Sequence, residues 1–191
     1  KKQIKVPHIV DRYLATCHPL EIAYDGLGLD HFTDSNAQKW LQQEFLTHYK
    51  DTSYVVFAVG GQFATKRLPL EKWQKLASRL DQAIHVIGGK EDMQMGRELQ
   101  QAFPAKVVNW TGQLSINQSA ELIKVANKIY TNDTGMMHIA AAYNKDIEVF
   151  WGNTLPGFGM YPFYPDSDAA KSVNHEVLGL SCRPCSKIGF K

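Results

Sequence analysis

Lys128-Ile-Tyr-Thr-Asn-Asp-Thr-Gly-Met-Met-His-Ile-Ala-Ala-Ala-Tyr143 is the stretch on which the reading of this chain turns. A short apolar run, Lys128–Thr131, stops at the polar turn Asn132-Asp133-Thr134-Gly135. A small-residue helix follows, carrying Met136, His138 and Ile139 to Tyr143. A strand that ends in a turn and opens directly onto a helix is one half of a βαβ unit. At such a junction, free backbone N–H groups and the helix dipole converge on whatever anion lies there. His138 follows Thr134 by four residues, so both side chains lie on one helix face and reach one ligand. The plainer alternative makes Asp133 or Thr134 a helix cap and His138 a buried polar residue.

The same pattern repeats on both sides of this stretch. Tyr54–Val59 is a continuous apolar run of strand length ending at Gly60-Gly61, and a helix over Glu71–Leu80 follows with Trp73, Leu76, Ala77 and Leu80 on one face. Ala83–Ile87 ends at Gly88-Gly89 and leads into a helix over Glu91–Ala102. Val107–Trp110 precedes Thr111-Gly112. Ser115-Ile-Asn-Gln118 has capping-box spacing ahead of a helix with Leu122, Val125 and Ala126. Ile147–Trp151 makes a fifth strand, ending at Gly152. Apolar strands alternating with amphipathic helices predict right-handed βαβ units, hence a Rossmann-like α/β domain with a parallel sheet and helices on both faces.

Outside this alternation the signals are weaker. Residues 1–35 lack a sustained period and read as a connecting segment with one short helix, Val10–Thr16. A helix over Asn36–Tyr49 follows, with Ser35 or Asn36 as its cap. The tail 153–191 is rich in Pro, Gly and aromatic residues and is expected to wrap the domain rather than extend the sheet.

Composition narrows the classes. With 191 residues, 44% hydrophobic, 21% charged and a net charge of +2, the chain has room for one well-buried domain. No run of Lys and Arg exceeds two residues, so nothing calls for nucleic acid, and no apolar stretch approaches the roughly 20 residues of a bilayer span. Cys17, Cys182 and Cys185 make no disulfide framework, which suits a reducing, cytoplasmic setting. The first residue is Lys, so a trimmed or processed chain is expected.

The chemistry is expected at the carboxyl ends of the strands. Gly60, Gly61, Gln62 and Lys66 follow the first strand, Gly88, Gly89 and Glu91 the second, and Gly112 and Leu114 the third. Asp133, Thr134, Gly135 and His138 follow the fourth, and Gly152, Asn153 and Thr154 the fifth. Glycine in such turns allows the backbone to come close to a ligand. Neither G-x-G-x-x-G nor G-x-x-x-x-G-K-[ST] occurs, which argues against a dinucleotide dehydrogenase and a P-loop ATPase. Lys66 lies in a flexible-looking loop, where a cation neutralises a diphosphate leaving group without a metal; the alternative is a solvated lysine beside Arg67. Cys182-Arg-Pro-Cys185 has the spacing of a metal knuckle or redox pair, but no second pair is near and His175 is the sole nearby extra ligand. A structural pair, or half of a motif cut off after Lys191, is favoured, and no metal site is expected.

Taken in order, Val56–Lys66, Leu68-Pro-Leu-Glu-Lys-Trp73, Val86-Ile-Gly-Gly-Lys-Glu91, Trp110-Thr-Gly112, Asn132-Asp-Thr-Gly-Met-Met-His138 and Phe150-Trp-Gly-Asn-Thr-Leu-Pro156 resemble the C-terminal half of glycosyltransferase family nine, the heptosyltransferases of lipopolysaccharide core assembly. The resemblance implies the B-type two-domain fold (GT-B). Residues 51–191 would be the nucleotide-sugar-binding half, residues 1–50 the interdomain connection and leading helix, and an acceptor domain would lie outside this chain. It implies an inverting, metal-independent transfer, with an ADP-heptose-type donor rather than a cofactor and a lipid-linked saccharide acceptor. The setting would be cytoplasmic, at the inner face of the membrane.

Residue by residue, the resemblance implies that Lys66 contacts the donor phosphates and that Thr134 and Gly135 offer N–H donors to them. Asp133 and His138 would meet phosphate or sugar, so Lys66, Asp133 and His138 are the catalytic candidates of this half. Glu91 would take the ribose hydroxyls, and Leu114 would pack on adenine. Gly60, Gly61 and Gln62 complete the binding set, with backbone contacts where relatives carry hydroxyl or Ala residues. The family's general base is a carboxylate of the acceptor domain. Two competitors remain: a nucleotide-sugar epimerase of the same fold, for which Glu91 and Asp133 are the sole strand-end acids, and a non-catalytic nucleotide-binding module.

Overall fold

The computed structural model describes residues 6–50, 53–166, 171–184 and 186. Six strands form one parallel sheet: β1 (Tyr54–Ala58), β2 (Ala83–Ile87), β3 (Val107–Asn109), β4 (Lys128–Asn132), β5 (Ile147–Trp151) and β6 (Ser172–Glu176). Their order is β3-β2-β1-β4-β5-β6. The helices are α1 (Ile9–Ala15), α2 (Ser35–Trp40), α3 (Leu46–Tyr49), α4 (Leu70–Ala77), α5 (Met93–Ala102), α6 (Ile116–Val125) and α7 (Gly135–Ala142). The chain winds outward from β1 to β3 and then crosses back to β4. The winding therefore reverses between β1 and β4, where the turns after the two strands diverge and leave a crevice.

Why β1 reads as an unbroken apolar run is visible in its packing. All five of its residues are buried. Tyr54, Val56 and Ala58 face one core layer, under α6, α7 and the α2–α3 helix, whereas Val55 and Phe57 face the other, under α4 and α5. Trp73 of α4 fills the second layer, fully buried against Phe57 and Phe150. A strand with helices on both sides has no solvent face on which to place polar residues.

The tail departs from expectation. Ser172–Glu176 adds a sixth parallel strand beside β5, in register from Ile147↔Ser172 to Trp151↔Glu176. The tail thus extends the sheet as well as packing on it. This edge strand pairs through its backbone on one side only and lies largely in water. Accordingly β6 has no buried residue, and Ser-Val-Asn-His-Glu carries none of the apolar signal that marks the inner strands. Trp151 Nε1 donates to Asn174 at 2.7 Å, and Glu148 accepts from His175 at 2.6 Å, fixing the added strand by polar contacts.

Smaller differences lie at helix ends. Asp34, rather than Ser35 or Asn36, caps α2 by accepting from the Ala37 N–H. Leu41–Phe45 is a π-helical stretch that turns Leu41 and Phe45 inward together with Trp40, between α2 and α3. The capping box at Ser115 and Gln118 is formed at the start of α6.

Candidate functional site

At the switch point, Asn132 closes β4 and ties its end to β1. Its side-chain amide donates to the carbonyls of Val59 and Gly60 at 2.9 and 3.0 Å, and its Oδ1 accepts from the Leu68 N–H at 3.0 Å. An asparagine buried to 0% exposure is tolerated because all of these groups are paired. The loop between Gly61 and Leu68 is therefore held at its far end by β4. It is also held by the Asn153 N–H, which donates to Thr65 O at 3.1 Å, and by Arg67 Nε, which donates to Gly61 O at 2.5 Å. Far from a loose loop, residues 64–66 form a 3₁₀ turn with Lys66 as its last residue.

Lys66 is a paired cation rather than a solvated one. Its Nζ lies 2.6 Å from Asp133 Oδ2, and the same oxygen accepts from Thr154 Oγ1 at 2.9 Å. Asp133 is buried at 8% exposure, so a carboxylate placed there without these partners would be costly. The Lys66 ammonium has three donors. One serves Asp133, and Lys66 lines a cleft of about 310 Å³ together with Gln62, Phe63, Thr134, Gly135 and His138. Burial pushes the His138 imidazole below its ordinary range, while the neighbouring Asp133 carboxylate opposes that shift.

The entrance to α7 is the second part. Thr134 is its N-cap residue but makes no side-chain cap hydrogen bond, and Asp133 is engaged elsewhere, so neither residue performs the capping role. The orphan N–H groups of the first turn, which form the positive end of the helix dipole, are left without a side-chain cap. A Cβ built on Gly135 would meet nothing within 4 Å. The glycine is thus not demanded by packing against the protein, and the space over it belongs to the cleft.

A second cleft, of about 370 Å³, adjoins the first and shares Gln62, Thr134 and Gly135 with it. Gly60, Gly61, Glu91 and Leu114 lie on its walls, with Ile87, Ile116 and Met136 supplying apolar surface. Its floor is built around Asp92, whose Oδ2 accepts from the Gly89 N–H at 2.9 Å. Burial raises the Asp92 carboxyl; the Gly89 N–H and the Arg67 cation, 3.8 Å away, work against that shift. A Cβ on Gly60 or on Gly88 would come within 2.8 Å of Asp92 Oδ2, so both glycines are needed for the carboxylate to sit there.

All ten residues singled out from sequence line these two clefts: Gly60, Gly61, Glu91 and Leu114 in one, Lys66, Asp133 and His138 in the other, Gln62, Thr134 and Gly135 in both. Sequence reasoning missed Asn132, Asp92 and Arg183, and it did not assign Thr154 a role. Asn132 had a signal, a polar residue ending an apolar strand. Arg183 had none beyond standing inside the cysteine pair. Cys185 itself lies outside the described residues. Among the described residues no group of three or more His, Cys, Asp or Glu side chains could hold a metal ion. No helix of the described residues is long and apolar enough to cross a membrane.

The fold and the site together define a parallel α/β domain with a polar, anion-receptive crevice at the switch point. Residues 1–188 match the family described as Glycosyltransferase family 9 (heptosyltransferase), and the chain belongs to that family. Among curated relatives, it is 34% identical over 110 residues to lipooligosaccharide heptosyltransferase 2 of Haemophilus influenzae, covering 53% of this chain and 32% of the relative. It is 28% identical over 173 residues to lipopolysaccharide heptosyltransferase 2 of Escherichia coli K12, covering 80% and 48%. The chain thus spans half or less of the length of these relatives. In fold it resembles the structure of E. coli ADP-heptose lps heptosyltransferase II, with a TM-score of 0.71 at 21% identity over 96% of this chain and 62% of that one. The glycosyl transferase family 9 structure from Veillonella parvula gives 0.74 at 21% identity, over 97% and 54%.

Proposed function

We propose that this chain is the donor-binding half of a heptosyltransferase that takes its sugar from ADP-heptose and passes it to a lipopolysaccharide-core acceptor. The observation that carries the reading is the meeting of Lys66, Asp133 and the uncapped start of α7 at one end of a glycine-walled cleft. A nucleoside diphosphate has matching parts: a flat base, a ribose with paired hydroxyls and two charged phosphates. The apolar wall at Leu114 and Ile116 suits the base, and Glu91 can accept from both ribose hydroxyls. The end with Lys66, Thr134 and Gly135 suits the diphosphate. The E. coli structure that it resembles in fold is of an ADP-heptose lps heptosyltransferase, which supports ADP-heptose as the donor.

In this reading the reaction is a displacement at the anomeric carbon with inversion. The acceptor hydroxyl attacks, the bond from that carbon to the diphosphate oxygen breaks, and ADP leaves with the electron pair. Charge grows on the departing phosphate oxygen. The Lys66 ammonium and the N–H groups opening α7 are already in place to meet it, so they need no reorganisation at the moment of reaction. Asp133 fixes the ammonium and, with neutral His138 beside it, offers acceptors to sugar hydroxyls. The base that deprotonates the acceptor would belong to an N-terminal acceptor domain, with residues 1–50 as the connection leading from it. Lipid-linked acceptors would bring the whole enzyme to the inner face of the cytoplasmic membrane.

Calorimetric titration of the chain with ADP, UDP, GDP and NAD, without added metal, tests the reading. Selective ADP binding is expected. Preference for UDP would point instead to another sugar or to the epimerase, and indifference to all four would remove the donor-site assignment.

A further inference from the structure

The cysteine-flanked tail motif has no part in the proposed chemistry, yet the side chain at its centre reaches toward it. Arg183 is buried at 9% exposure. Its Nε donates to Gly152 O at 2.6 Å, its Nη2 to Thr154 O at 2.7 Å, and its Nη1 to Glu176 Oε2 at 2.7 Å. Two of these partners are backbone carbonyls of the turn after β5, and the third is the last residue of β6. A planar guanidinium bridges three acceptors in fixed directions, which a lysine ammonium on a flexible stem does not reproduce.

That turn touches the site from two sides. Thr154 Oγ1 donates to the same Asp133 oxygen that holds Lys66. Gly152 and Asn153 press on the loop that carries Lys66: the Asn153 N–H donates to Thr65 O, and a Cβ on Gly152 would collide with the Thr65 carbonyl. Fixing residues 152–154 therefore fixes the Lys66 backbone from behind and the Asp133 carboxylate from the side.

We infer that Arg183 is a positioning residue for the Lys66–Asp133 pair, through which the C-terminal tail sets the affinity for the donor's diphosphate. The inference rests on the donor-site reading above. It predicts that the tail and the phosphate-binding lysine are energetically coupled although Arg183 does not line either cleft.

A double-mutant cycle on the whole chain, read by ADP titration, tests this. Arg183→Ala is expected to weaken ADP about tenfold in the otherwise native chain and by less than about twofold on a Lys66→Ala background, because the path it acts through is then gone. Equal losses on both backgrounds would mean a merely structural contribution and overturn the inference. So would native ADP affinity in a folded Arg183→Ala. Should that variant fail to fold, Thr154→Val, which keeps the side-chain shape and deletes the hydroxyl, replaces it in the cycle. A several-fold loss that vanishes with Lys66→Ala supports the coupling, and no loss overturns it. A chain whose ADP binding is absent, or untouched by Lys66→Ala, would instead overturn the donor-site reading and this inference with it.

Discussion

The two halves of the crevice are built by different physics. On the β1–β4–β5 side, side chains do the positioning: Asn132 ties two strand ends together, Asp133 gathers Lys66 and Thr154, and Arg183 anchors the last turn. On the β2–β3 side, the turns are glycines folded around one buried carboxylate, Asp92, and the walls are apolar. The first half holds charge in fixed places; the second half makes room of a given shape. A ligand with an anionic end and a flat, hydroxylated end would read both. The contrast teaches that losing a charge partner and losing room should have separable signatures.

The largest effect is expected on the charged side. Lys66→Ala should weaken ADP and slow transfer in an intact enzyme by about 100-fold, the scale of a lost preorganised donor. Steady-state kinetics with ADP-heptose would check it, and an unchanged rate would erase the distinction between the halves. Next comes a stability effect rooted beneath the other half. His85 of β2 is fully buried among Phe45, Tyr49, Tyr54 and Trp110, and it accepts from Trp110 Nε1 at 2.8 Å. Burial lowers its pKa from 6.5 to about 4. The unfolded chain then binds a proton that the folded chain refuses, so this contribution is whole above pH 6.5 and is lost as pH falls toward 4. It amounts to something on the order of 3 kcal/mol. Denaturant melts from pH 7 to 4 should show the loss, and His85→Phe should flatten it.

A smaller effect probes shape alone. Gly60→Ala should drive Asp92 from its place and weaken ADP about tenfold, comparable to a mild overpacking, with the Lys66–Asp133 pair left in position. Measuring inorganic pyrophosphate alongside ADP sharpens this: Gly60→Ala should spare the former and Lys66→Ala should not. The smallest change is expected for Glu91→Gln, exposed on the cleft wall, at about fivefold in ADP affinity, the worth of one or two hydrogen bonds. Titration with ADP and its 2′-deoxy analogue would show it, because the variant and the missing hydroxyl should not add.

The legible part of the molecule was legible for a reason. β1, β2, β4 and β5 are inner strands of a parallel sheet; full burial leaves a continuous apolar run in β1, and the other three keep apolar stretches interrupted by His85, Lys128 and Glu148. The turns that follow them must occupy one sheet edge once the strands are parallel, so the ten cleft residues could be gathered from their place after each strand. β6 escaped because an edge strand in water needs no such run. Asp34 rather than its neighbours caps α2 because Asp, Ser and Asn all suit a cap and only the path of the chain chooses among them.

The sequence by itself determined the class of fold, the edge on which the site lies and the residue types available there, because period, turn chemistry and strand burial are local and leave a direct trace. Only the tertiary structure decided which of those residues are partners. That Lys66 is held by Asp133 across 67 positions, and that Arg183 reaches Thr154 across 29, follows from strand order and the path of the tail. Such pairs are set by distances in space, for which spacing along the chain carries no signal.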